Sequence, residues 1–81
     1  MATLKELGLH GAGKIDRVAG RGALAQRLLA LGFLPGVSVR VVQVAPFGDP
    51  ITVELDGWRV SLRLSEADAL FVRPFGRGAG S

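Results

Sequence analysis

The chain has one histidine, no cysteine and no tyrosine. His10 stands in a glycine-rich stretch, Gly8-Leu9-His10-Gly11-Ala12-Gly13-Lys14. Zinc takes about four nitrogen, sulfur or oxygen ligands, and one copy of this chain offers only His10 and carboxylates. A twofold dimer doubles that supply, so a divalent metal has one route in: His10 with a carboxylate from each chain, at a dimer contact. A serine nucleophile needs a base within reach. Ser38, Ser61 and Ser65 would all have to draw on His10, and no spacing brings them to it. The glycines around His10 also lack the spacing, and the following helix, of a phosphate-cradling loop. This inventory is that of a protein that is not an enzyme and keeps no resident cofactor.

Aromatic and basic residues offer a second chemistry, the stacking of single-stranded nucleic acid along a basic face. Trp58 is the one tryptophan, and Arg59 and Arg63 follow it at alternate positions with Ser61. The Asp56-Gly57 pair between two alternating runs is a strong hairpin signal. It sets Leu55 opposite Trp58, Glu54 opposite Arg59, Val53 opposite Val60, Thr52 opposite Ser61 and Ile51 opposite Leu62. Trp58 then belongs to the apolar face, and Glu54 faces Arg59 on the other, which leaves a mixed patch and no stacking platform. The isoelectric point of 10.7 reflects arginines without tyrosine or cysteine to titrate against them; the net charge is only +3. The basic residues are spread singly along the chain, so nucleic acid is not an expected partner.

The third candidate is Ala45-Pro46-Phe47-Gly48-Asp49-Pro50, a turn between valine-rich strands with a large aromatic at its tip. Phe47 either folds back against Val44 and Ile51 or is presented to a partner. Two prolines stiffen the loop, which lowers the entropy lost when a displayed side chain is bound.

The elements that hold these residues read as mainly β. Thr3-x-x-Glu6 has capping-box spacing over a short turn, Leu4 to Leu7. Residues 14–18 alternate as a first strand. The one helical pattern covers residues 23–32, with Leu24, Leu28 and Leu31 on a common stripe that is expected to form core. Gly32 sits where a helix stop favours a left-handed residue, and Pro35 follows. Leu29, Phe33 and Leu34 lie off that stripe or beyond the stop, and apolar residues grouped on a surface mark partner contacts. Residues 37–44 alternate and then slip phase at Val41-Val42, the sign of a bulge. Residues 51–55 and 58–64 form the hairpin, Ser65 to Asp68 a single helical turn, and residues 70–75 the last strand. Five short strands, with a helix after the first and a helical turn before the last, predict a small, partly open barrel.

A chain of 81 residues makes one domain that buries roughly 60% of its unfolded surface. Residues 1–75 are expected to form it, and 76–81, Gly-Arg-Gly-Ala-Gly-Ser, to be a flexible tail. The start lacks the basic, long apolar pattern of a secretory signal. The apolar run from Ala23 to Leu34 contains Gln26 and Arg27 and falls short of the ~20 residues of a bilayer span. No membrane insertion is expected, and the cytoplasm is the expected location. The exposed edges of a small barrel also leave a homodimer open to it.

An ordered set of residues resembles the ferrous iron transport protein A (FeoA) family: Arg27-Leu28, Leu31-Gly32, Pro35-Gly36, Ala45-Pro46 with Gly48-Asp49-Pro50, Gly57, Ser61-Leu62-Arg63 and Glu66-Ala67. The resemblance covers about residues 3–73. It implies an SH3-like barrel and a cytosolic accessory role, by protein contact, for a membrane ferrous iron transporter with a cytosolic GTP-binding domain. SH3-like barrels bind partners through loops and aromatic side chains on one flank. The candidate contact residues under that resemblance are Phe47, Pro46 and Asp49, with Arg27, Phe33 and Leu34 near the helix end. The family's domain type also occurs in metal-dependent repressors, so the alternative is a metal-responsive regulatory domain working with a DNA-binding partner.

Overall fold

A computed structural model describes residues 1–75; the tail expected at 76–81 lies outside the described residues. The chain runs β1 (Ala2–Thr3), α1 (Leu4–Leu7), β2 (Ala12–Val18), α2 (Ala23–Ala30), β3 (Ser38–Val44), β4 (Ile51–Leu55), β5 (Trp58–Leu62), α3 (Leu64–Ala67) and β6 (Leu70–Pro74). The strands form one antiparallel sheet in the order β1-β6-β2-β3-β4-β5. This is the expected partly open barrel with six strands instead of five. The additional strand is the two-residue β1, which pairs with Val72 and Phe71 of β6 and is too short for alternation to reveal.

The β4–β5 register is the one that Asp56-Gly57 dictates, from Leu55 opposite Trp58 to Ile51 opposite Leu62. Both turn residues have positive φ, 48° at Asp56 and 82° at Gly57, as a turn matched to the twist of the strands requires. The phase slip in β3 is a bulge: the β3–β4 register shifts between Val41 and Gln43. A second bulge, between Ile15 and Arg17, interrupts the pairing of β2 with β6. Ile15 and Val18 are an odd number of residues apart, so a regular strand would point them to opposite faces. The inserted residue lets Val18 pack against the same core as buried Ile15.

Strand β2 begins at Ala12, two residues before the expected start. Gly13 lies within it, at a position where a side chain would collide with β6: a Cβ would lie 2.6 Å from the Arg73 carbonyl oxygen. That glycine permits a close backbone approach.

The helix α2 is rotated about its axis relative to the expected stripe. Leu28 and Ala25 are buried and Leu31 partly so, but Leu24 is 39% exposed and does not join the core. Small Ala25 occupies the inward position beside Leu28, and that orientation turns Leu24 outward. The helix ends as Gly32 predicts. Gly32 (φ 109°) donates its N–H to Leu29 O at 3.0 Å, and Phe33 donates to Leu28 O at 3.2 Å. This pairing is the Schellman motif, which brings the residue after the glycine onto the third-last helical residue. Phe33 and Leu28 are both fully buried there.

The short helices are held by glutamates. Glu6 accepts from the Thr3 N–H at 2.7 Å, and Glu66 from the Arg63 N–H at 2.9 Å. α3 covers Leu64–Ala67, one residue earlier than the turn expected over Ser65 to Asp68, with Arg63 at the cap position and Glu66 reaching back.

Candidate docking surface

The loop between β3 and β4 closes on itself. Ala45 N–H donates to Pro50 O at 3.0 Å and Gly48 N–H to Ala45 O at 2.7 Å, with Gly48 at φ 86°. Two prolines and two internal bonds leave the tip little freedom, and Phe47 at that tip is 99% exposed. Of the two readings open to the sequence, the folded-back one is overturned: Val44 and Ile51 pack with the core without it. Pro46 beside it is exposed as well.

The loop that carries Phe47 borders two clefts. Gly48 belongs to the wall of an apolar one, about 220 Å³, with Leu4, Gly8, Val44, Ile51 and Leu64. Pro50 belongs to the wall of a polar one, about 310 Å³, with Arg27, Ser61, Arg63 and Glu66. Arg27 on α2 forms an ion pair with Glu66 on α3, and its side chain is 51% exposed. A pair that accessible contributes about 0–1 kcal/mol and leaves the guanidinium reachable from the cleft.

The expected contact residues therefore divide. Phe47 and Pro46 are exposed, and Arg27 lines a flank of their loop. Asp49 is also at the surface, but its carboxylate is engaged: Oδ1 accepts from the Leu64 N–H at 3.1 Å. Leu34 is 48% exposed where the chain leaves α2 and lines neither cleft. Phe33 is a correction, because its ring is fully buried and unavailable to a partner. The signal that would have placed it was present in Gly32, since a glycine stop draws the next apolar residue inward. The apolar cleft went unforeseen because Leu4, Val44 and Leu64 come from three separate segments.

His10 is exposed on a positive φ of 70°. Its backbone bonds to β3: the N–H donates to Val41 O at 2.8 Å, and the carbonyl accepts from Arg40 at 3.2 Å. Among the described residues no group of three or more histidine, cysteine, aspartate or glutamate side chains is placed to hold a metal ion. Trp58 covers the exit of α2 at 43% exposure, and a methyl on Gly32 would stand 3.5 Å from its ring. Arg59 pairs with Glu54 across the hairpin at 3.7 Å, the mixed patch that the register implied. Among the described residues no helix is long and apolar enough to cross a membrane.

A curated protein of Porphyromonas gingivalis, an Fe(2+) transport protein A/Fe(2+) transporter FeoB fusion, is 37% identical over 78 residues, 96% of this chain. The chain spans only 9% of that fusion's length. The crystal structure of Stenotrophomonas maltophilia FeoA complexed with zinc, a prokaryotic SH3 domain protein, superposes with a TM-score of 0.80 at 38% identity, over 90% of this chain and 91% of that one. A manganese-dependent transcriptional repressor matches with a TM-score of 0.80 at 20% identity, over 90% of this chain and 41% of the repressor, a likeness of fold alone. The FeoA domain family matches residues 2–74, nearly all that the structure describes, and the chain belongs to that family.

Proposed function

We propose that this chain is a cytosolic accessory protein of a ferrous iron transport system, acting by contact with the cytosolic GTP-binding part of the membrane transporter. The observation that carries this reading is the Porphyromonas gingivalis relative, in which transport protein A and transporter FeoB are one polypeptide. Covalent fusion raises the effective concentration of one part for the other, so that even a weak contact is held. The present surface supports contact as the mode of action. Among the described residues its most exposed large hydrophobic side chain is an aromatic on a closed loop that borders an apolar and a polar cleft, and an aromatic anchor of this kind carries much of the energy of an interface. Phe47, Pro46 and the Arg27 flank form the contact, at the inner face of the membrane.

The test is a calorimetric titration of this chain with the isolated cytosolic domain of its own organism's ferrous iron transporter, wild type against Phe47→Ala. Micromolar binding that the variant loses is the expected result. Binding kept by the variant would retain the role and move the contact away from the loop. No binding, with or without nucleotide and ferrous iron, would overturn the reading; metal-dependent association with a DNA-binding protein would then favour the regulatory alternative.

A further inference from the structure

The polar side chain that ties the Phe47 loop to the rest of the fold is Asp49. The two bonds that close the loop are internal to residues 45–50. Among the described residues, the side-chain hydrogen bond that leaves this segment is donated by the Leu64 N–H to Asp49 Oδ1, at 3.1 Å and across 15 positions of sequence. Leu64 is the first residue of α3, and its N–H has no partner within the helix. Arg63 stands at the cap position with a side chain of donors only, so it cannot supply the oxygen that a serine or aspartate would. Glu66 satisfies the N–H of Arg63 itself. The next donor is satisfied from outside the helix, by the loop.

We propose that Asp49 is a positioning residue: by capping α3 with its carboxylate it holds the β3–β4 loop in the shape that presents Phe47. One bond meets two needs. A short helix whose own cap residue is an arginine gains an acceptor, and a loop carrying an exposed aromatic gains an anchor. The anchor also reaches α2, because Glu66, two residues past Leu64, pairs with Arg27. Asp49 thus acts on a partner through Phe47 and not by touching the partner, which departs from the contact role expected of it. The consequence for affinity rests on the docking role of Phe47 proposed above; the consequence for the loop does not.

The two are separated by measuring order and binding on the same full-length variants. In Asp49→Ala, the ¹H–¹⁵N heteronuclear NOE of Phe47 and Gly48 should fall, and the Leu64 amide should exchange with solvent about tenfold faster or more. The Val53 and Val60 amides in the hairpin should be unchanged. Asp49→Asn keeps a side-chain oxygen acceptor and should stay near wild type on both readouts. If the alanine variant does not fold, Asp49→Glu, which displaces the oxygens by one methylene, should show the same loosening. Phe47 and Gly48 as ordered in Asp49→Ala as in wild type would overturn the proposal. Against the transporter's cytosolic domain, Asp49→Ala should weaken binding about tenfold, with Asn restoring it. Unchanged affinity in Asp49→Ala, where Phe47→Ala abolishes binding, would also overturn it. Should Phe47→Ala itself leave binding intact, the docking reading fails, and the NMR result alone decides the role of Asp49.

Discussion

Strand β4 is entered and left by two turns that solve the same problem in opposite ways. At its C-terminal end Asp56 and Gly57 reverse the chain in two residues, both at positive φ, and every apolar residue of the hairpin falls on one face. At its N-terminal end the chain takes six residues, Ala45 to Pro50, and sets a phenylalanine in solvent. Leaving that ring uncovered forgoes the ~1.5–3 kcal/mol that burying such a side chain contributes. The first turn does what folding requires and nothing more. The second has length, stiffening and an exposed aromatic that folding does not require, and the docking role proposed above would account for that excess.

The contrast is open to attack, and the strongest expected effect lies on the folding side. Leu55 is 1% exposed, so Leu55→Ala should lose about 2–5 kcal/mol, a large part of the ~5–15 kcal/mol typical of a domain. Urea melts would show it as a lower midpoint. Next comes the tight turn. Gly57→Ala places a side chain at φ 82° and should cost about 1–2 kcal/mol, read as a drop of several degrees in Tm. Phe47→Ala should move stability by no more than about 0.5 kcal/mol while removing partner binding. A large loss of Tm in that variant would mean that the ring packs somewhere in the fold, and the comparison would break. The smallest effect is expected in a third loop. His10→Asn tolerates the positive φ and keeps the backbone bonds to β3, so melting should be unchanged and zinc titrations of variant and wild type should coincide. A zinc transition present only with His10, together with a zinc-dependent doubling of mass in solution, would instead establish the metal-bridged dimer.

Residue patterns reveal these two turns unequally. Asp56-Gly57 specifies its hairpin because the constraint is local: two residues at positive φ, flanked by alternation, admit one register. The β3 bulge and the Gly32 stop are legible for the same reason. Leu24 and Phe33 were misplaced by a shared cause. A helix of eight residues has so little periodicity that Leu24-Leu28-Leu31 and Ala25-Leu28-Leu31 fit it almost equally, and the rotation is set by what packs beneath. Phe33 follows that rotation inward through the Schellman turn.

Of the candidate docking surface, the sequence supplied the members and their chemistry: an aromatic between prolines and an arginine on the helix; it also supplied one histidine too poor in partners to hold a metal in a single chain. Membership in the FeoA domain family, and with it the barrel, was also legible in the order of its glycines and prolines. Tertiary structure alone decided which way Phe47 points, that Phe33 is core, and that the Asp49 carboxylate reaches an amide 15 residues away. The reason is physical. A turn or a cap is settled by dihedral preferences and neighbours a few residues apart. The direction of a loop side chain and the satisfaction of a distant N–H depend on which surfaces the folded sheet brings together.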